Sequence, residues 1–248
     1  MKISVITATW NSEDTIKETL DSMSAQDYEN IEYIVIDGGS RDNTLKIIRD
    51  SGVKVDILVS EKDGGIYDAL NKGIALATGD VIGFLHSDDV YASNSVLTKI
   101  SQAFEHTGVD AVYGDLEYVS GIDESKVIRK WVSGKFNRRK IGFGWMPPHP
   151  TFYMKRKHYQ KYGGFSLGYK IAADYDSILR YLWKNSLDAK YIPDVLVRMK
   201  TGGASNRSLK NILIKSKEDF QALKANGISP LFPLIWKNIS KIPQFINR

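Results

Sequence analysis

Short β-branched runs alternate with amphipathic segments through the first 113 residues, and that rhythm constrains the fold more than any other feature of the sequence. Residues 2–7, 31–37, 55–60, 80–85 and 111–113 read as strands, rich in Val and Ile. Between them, residues 13–26, 42–50, 66–77 and 94–105 carry apolar side chains at helical spacing. Asn11 and Ser12, and Ser40 or Asp42, stand where helix caps belong. Strands and helices alternating with short links predict an α/β fold: a doubly wound, mostly parallel sheet covered on both faces. After Gly114 the rhythm breaks. Residues 116–119 and 127–132 suggest a hairpin, 151–153 a strand, 155–162 and 173–184 helices, and 189–192 and 196–200 two late strands.

The 248 residues suffice for one large domain or a domain plus an appendage. With no cysteine, disulfides and thiolate metal sites are excluded. The opening apolar run is too short for a signal peptide, and no stretch approaches the roughly 20 apolar residues that span a bilayer. The net charge of +5 is uneven: residues 205–248 hold eight basic and two acidic residues, leaving residues 1–204 at −1. So neutral a body argues against nucleic acid as a partner.

In open α/β sheets ligands bind beyond the carboxyl ends of the strands. Here Thr9 and Asn11 follow the first strand, Asp37 ends the second, Glu61 and Asp63 follow the third, and Asp88-Asp89 follow the fourth. The last strand is expected to present its Asp pair to solvent. Such a pair invites a divalent cation with oxygen ligands, Mg or Mn, although a turn leading to a helix cap fits the dipeptide equally. The first strand-to-helix turn, Thr7-Ala8-Thr9-Trp10-Asn11, has neither the glycine pattern of a dinucleotide fold nor a P-loop lysine. Phosphate charge would then fall to the cation.

These segments resemble the family 2 glycosyltransferases. The resemblance rests on Val5–Asn11, on Val35-Ile36-Asp37-Gly38-Gly39-Ser40 with Asp42 and Thr44, on Gly65–Ile74, and on Phe84-Leu85-His86-Ser87-Asp88-Asp89. Gly163-Gly164-Phe165 and Ala172-Ala173-Asp174-Tyr175-Asp176 extend it, so that it covers about residues 1–204. It implies a GT-A fold in which residues 1–114 bind a nucleotide sugar and 115–204 an acceptor, merged with a smaller acceptor-side sheet and followed by C-terminal helices. Residues 205–248 would form a basic amphipathic helical tail. It further implies that Thr9, Asn11, Asp37, Asp63, Asn71 and Asp88 contact the donor, with Asp37 reading an imino N–H and Asp88 the ribose. Asp89 would ligate Mn2+ or Mg2+. Asp174 would be the catalytic base, with Asp176 as second choice. Asp174 equally suits the cap of the helix that follows.

His149, within Pro147-Pro148-His149-Pro150, and Trp145 are candidates for acceptor or diphosphate contact, each competing with simple packing. Lys72 could meet phosphate or lie in solvent, and Gly202-Gly203-Ala204-Ser205 reads as a closing segment. In the tail, Leu209-Ile212-Leu213 and Phe220-Leu223 suggest one helix. Residues 231–246 are apolar, aromatic and basic together, as on an anionic membrane surface, or on a packing or dimer face. The Gln-x-x-Arg-Trp motif of the family's processive members is absent. The expected protein is a cytoplasmic enzyme, peripheral at the inner face of a membrane. It would move a single sugar from a UDP-linked donor to a glycan or lipid-linked acceptor of surface polysaccharide, with inversion. A sugar-nucleotide nucleotidyltransferase and a non-catalytic nucleotide- or carbohydrate-binding protein are the alternatives.

Overall fold

A computed structural model describes residues 1–121, 123, 125–200 and 209–239. Gly202-Gly203-Ala204-Ser205 and residues 240–248 lie outside them. Strand β1 (Ile3–Thr9) is buried at all seven positions, as a central strand covered on both faces must be. It pairs in parallel with β2 (Ile31–Asp37) and β4 (Val81–Phe84), and β2 pairs in parallel with β3 (Ile57–Ser60). Beyond β4 the sheet turns mixed. It continues through β8 (Tyr153–Lys155), β6 (Ala111–Val119), β9 (Ala189–Lys200) and β5 (Asp89–Tyr91), with β7 (Val127–Trp131) hydrogen-bonded to β6.

Alternation along the strands divides the core in two. Ile3 and Val5 face α1 (Ile16–Ser24), α2 (Thr44–Asp50) and α4 (Val96–Thr107) through Leu20, Ile48 and Ile100. Ile6 and Ala8 face the other layer, which contains α3 (Ile66–Leu76), α6 (Arg156–Tyr162), α7 (Ala173–Ile178) and α8 (Leu209–Ala225). Gly83 in β4 is required by a close approach: a Cβ there would lie 2.0 Å from the Tyr153 ring, whose hydroxyl meets that of Tyr91 at 2.6 Å. At the lower end of the sheet, Glu32 is buried and accepts hydrogen bonds from Lys2, Ser4 and Thr78.

The early elements form where periodicity puts them, within a few residues. Five later ones differ. The strand at 111–113 and the hairpin arm at 116–119 are one continuous strand, β6. The two late strands are one, because β9 absorbs Pro193-Asp194 as an irregularity opposite Tyr113–Leu116. The helix over 173–184 changes at Leu179 into a π-helical segment, Leu179–Lys184. The strand at 151–153 starts two residues later, after a 3-10 turn at His149–Thr151 held by the Thr151 hydroxyl on Pro148 O. Asp89, expected in solvent, is fully buried as the first residue of β5, where it pairs with Met199 of β9. No tendency local to the Asp pair reveals that long-range pairing.

The tail's packing also differs from its apolar pattern. In α8 the buried residues are Glu218, Asp219, Ala222 and Leu223, with Asn226 just beyond, whereas Ile212, Leu213 and Phe220 are exposed. A second helix, α9 (Leu231–Ile239), exposes Leu231, Phe232 and Trp236. No helix among the described residues is long and apolar enough to cross a membrane.

Candidate active site

The first three parallel strands end level with one another: Thr9 is the register partner of Asp37, and Asp37 of Ser60. Asp37 is fully buried. Its Oδ2 accepts from the Gly39 and Ser40 amides at 3.1 and 3.0 Å and from Ser60 Oγ at 2.7 Å, while among the described residues its Oδ1 accepts only from Ser40 Oγ. A carboxylate oxygen has room for two donors, so Oδ1 can take one more. Beside it the buried Thr9 hydroxyl has no partner among the described residues. Asp63 closes the same corner: its Oδ1 accepts from the Gly65 amide at 2.8 Å, and a Cβ on Gly38 would come within 2.6 Å of its Oδ2.

Asn11, in the left-handed region at φ 48°, stitches two loops together. Its amide donates to Ser40 Oγ at 2.8 Å and its Oδ1 accepts from the Arg41 amide at 2.9 Å. Asn71 is turned elsewhere. Its side chain donates to Phe165 O and accepts from Phe165 N, both at 2.8 Å, clamping α3 to the segment before α7. Lys72 is paired with Glu61 at 2.7 Å and lies 3.7 Å from Asp68.

After β4 the chain turns through His86 and Ser87 to Asp88 and Asp89, the Asp89 amide donating to His86 O at 3.0 Å. Neither carboxylate oxygen of Asp89 has a hydrogen-bond partner among the described residues. Burial, then the neighbouring Asp88 charge, pushes its carboxyl well above the usual range. A buried charge left in this state is costly unless a cation meets it.

Asp174 approaches from the other half of the chain, in the first turn of α7, where its Oδ1 accepts the Tyr175 amide at 2.7 Å. It shares surroundings with the Asp pair. Asp88 and Asp174 both act electrostatically on His86, whose ring burial nonetheless holds below the usual histidine range. Asp89 and Asp174 both act on Tyr118 of β6, whose hydroxyl burial pushes up. The adjacent Asp88 and Asp89 and the distant Asp174 thus share His86 and Tyr118 as neighbours.

His149 adjoins the group. Its ring stacks on Phe84 at 5.2 Å and on His86 at 6.2 Å, and burial, then His86, lowers its pKa to about 3, so it is neutral. Trp145 packs against Tyr113 and Phe136, its Nε1 donating to Ser133 O at 3.3 Å. Asp176 faces away, bonded to Arg180 at 3.2 Å and to Asn226 at 2.9 Å.

Two residues that matter to this site are illegible in the sequence. Glu218 of α8 accepts the amides of Lys170, Ile171 and Ala172 at 2.9, 2.8 and 3.0 Å, while Tyr67 donates to Ile171 O at 2.6 Å. The segment leading into Asp174 is therefore held both through its amides and through a carbonyl. Asn226, through Asp176, holds the far side. In sequence Glu218 looks like any carboxylate on a helix, and its partners lie 46 to 48 residues earlier.

The chain is similar to known proteins. The family model described as Glycosyl transferase family 2 matches residues 4–171. An uncharacterized glycosyltransferase of Mycobacterium tuberculosis is 35% identical over 186 residues, 72% of this chain and 68% of its own length. A PGL/p-HBAD biosynthesis glycosyltransferase of the same species is 30% identical over 218 residues, 86% of this chain and 82% of its own. Among solved structures, Staphylococcus aureus TarS 1–349 in complex with UDP-GlcNAc superposes with a TM-score of 0.70 at 20% identity, over 100% of this chain and 79% of that one. The mixed sheet, the ligand edge at its strand ends and these likenesses agree: the chain belongs to glycosyl transferase family 2 and is a glycosyltransferase with the GT-A fold.

Proposed function

We propose that the protein transfers a single sugar from a UDP-linked donor to a hydroxyl of a glycan or lipid-linked acceptor of surface polysaccharide, with inversion and with a divalent cation. The observation that carries this reading is that Asp174 shares His86 with Asp88 and Tyr118 with Asp89. Thr9 and the free position on Asp37 Oδ1 suit the base of a nucleotide, Asp63 closes that corner, and Asp88 would take the ribose. The unpartnered, buried Asp89 carboxylate fits a hard cation; with no third donor group beside it among the described residues, the donor's diphosphate would complete the coordination. Bound there, Mn2+ or Mg2+ would offset charge developing on the departing diphosphate.

Asp174 takes the proton from the acceptor hydroxyl. A free carboxylate is a weak base for an alcohol, so the fixed position of Asp174 and proton transfer late in the displacement supply much of the effect. Neutral His149 and His86 build the wall beside it without adding positive charge. UDP-bound TarS supports the choice of base, and absence of the processive motif supports transfer of one sugar at a time. The exposed apolar residues of α9 suit contact of the tail with a lipid surface, where a lipid-linked acceptor would be met.

Thermal unfolding with UDP or GDP, each with and without Mn2+, tests the reading. UDP with Mn2+ should raise the melting temperature of the parent chain and of Asp174→Asn, but not of Asp89→Ala. A rise that persists in Asp89→Ala removes the cation assignment. Release of pyrophosphate in place of UDP on turnover overturns the transferase chemistry.

A further inference from the structure

The near-neutral body hides two opposite charges. Residues 1–114 contain 19 Asp and Glu against 9 Lys and Arg, a net −10. Residues 115–204 contain 8 against 17, a net +9. Within the second half, residues 125–173 hold twelve Lys and Arg and no acidic residue at all. On this cationic half a short helix, α5 (Arg138–Ile141), leads into a turn that exposes Phe143. Arg139 and Lys140 on α5 are exposed. The Phe143 ring meets Phe232 of α9 edge-on at 5.5 Å, and Phe232 stacks on Trp236 at 6.2 Å. Phe143, Phe232 and Trp236 are each about half exposed, at 49%, 55% and 48%, and Leu231 is 73% exposed. Aromatic and aliphatic tips beside basic side chains form a surface of the kind that enters a lipid interface.

We propose that this composite face, the α5 turn together with α9, docks the protein on an anionic lipid surface. It extends the tail contact proposed above, on which its α9 portion rests, and assigns an orientation. The cationic half faces the headgroups, and the acid-rich nucleotide-binding half is repelled from them. The loop that starts at the exposed Phe143 ends at His149, stacked on His86 beside Asp88 and Asp174. An acceptor held in the bilayer would therefore reach the carboxylates along this one loop.

Co-sedimentation of the full chain with vesicles tests the face. The vesicles are phosphatidylcholine alone, or with about one-third phosphatidylglycerol. The parent should bind only the anionic vesicles and lose binding as salt rises to about 0.5 M, where the Debye length is only a few ångström. Each basic side chain at such a surface contributes about five-fold to partitioning, so Arg139→Gln with Lys140→Gln should lower it about 25-fold. Phe143→Ser and Phe232→Ser should each lower it several-fold. All variants should keep the UDP–Mn2+ thermal shift, which reads the nucleotide site alone. If the Arg139/Lys140 variant binds like the parent while Phe232→Ser does not, the tail docks alone and the composite face is wrong. Equal binding to neutral vesicles overturns the charge argument. No vesicle binding, with a doubled mass in solution that Phe232→Ser abolishes, makes the face a contact between two copies of the chain and overturns the proposal.

Discussion

Glu32 and Asp89 are both buried carboxylates in the same sheet, one at each end of the parallel strands, and they are treated oppositely. Glu32 has Lys2, Ser4 and Thr78 around it; burial alone would raise its pKa, yet these hydrogen bonds outweigh burial and hold it at about 2. Asp89 has no donor among the described residues, and burial pushes its carboxyl up. The lower end of the sheet is finished by the chain itself. At the upper end the described residues supply no such donors, as the cation site proposed above requires. A carboxylate that a fold buries without satisfying is therefore a better marker of function than one that is merely present.

The contrast breaks first if the upper end proves chemically inert. Asp174→Asn should lower kcat by about 10²–10⁴-fold while donor affinity, measured by calorimetry, stays unchanged. Next comes the grip on Asp174. Glu218→Ala leaves three amides without their acceptor, of which that of Ala172 is buried, so urea unfolding should show a loss of about 1–3 kcal/mol. Amide exchange at 170–172 should quicken, and kcat should fall further than donor affinity.

The Asp89 and Glu32 pair can then be set against each other by pH. A carboxyl raised in the folded state lends stability below the ordinary Asp value of 3.8 and loses it as pH climbs through the raised folded value. Without added cation, Asp89→Asn should therefore gain melting temperature relative to the parent as pH rises, and Mn2+ should erase that gain by stabilising only the parent. For Glu32 the sign reverses: its depressed folded pKa gives stability that is present above 4.5 and is lost as pH falls towards 2. Glu32→Gln should be the less stable protein at neutral pH, with the difference shrinking in an acid titration. An identical pH response in both variants would show that the two ends are not distinct.

Legibility in the sequence follows the same division. The first four strands and their helices are read correctly because each is local: an apolar run buried on both faces, then a helix packing back upon it. Thr9, Asp37, Asp63 and Asp88-Asp89 could be grouped because parallel strands end together, so one topological rule places them all. The second half obeys no such rule. β6 pairs with a strand about 80 residues away, Asp89 is buried by that strand's far end, and Asp174 is held by Glu218 and Asn226. Local patterns also favoured an apolar face for α8, yet the residues that pack are largely polar, because they satisfy backbone amides and Asp176. Asn71 illustrates the converse: it belongs to a recognisable segment, but its amide is committed to Phe165.

The sheet has a mechanical consequence. Hydrogen bonds run without interruption from β3 through β1 and β4 to β8, β6 and β9, so the parallel and the mixed parts of the sheet form one stiff plate. Bending it would break ladders buried on both faces. Two bodies closing on a hinge is thus not a motion available to this enzyme. On the reading proposed above, substrates would be admitted by connections that rise from the plate, such as the loop from Phe143 to His149, while the strand ends that carry Thr9, Asp37 and Ser60 keep their spacing of about 4.8 Å per strand.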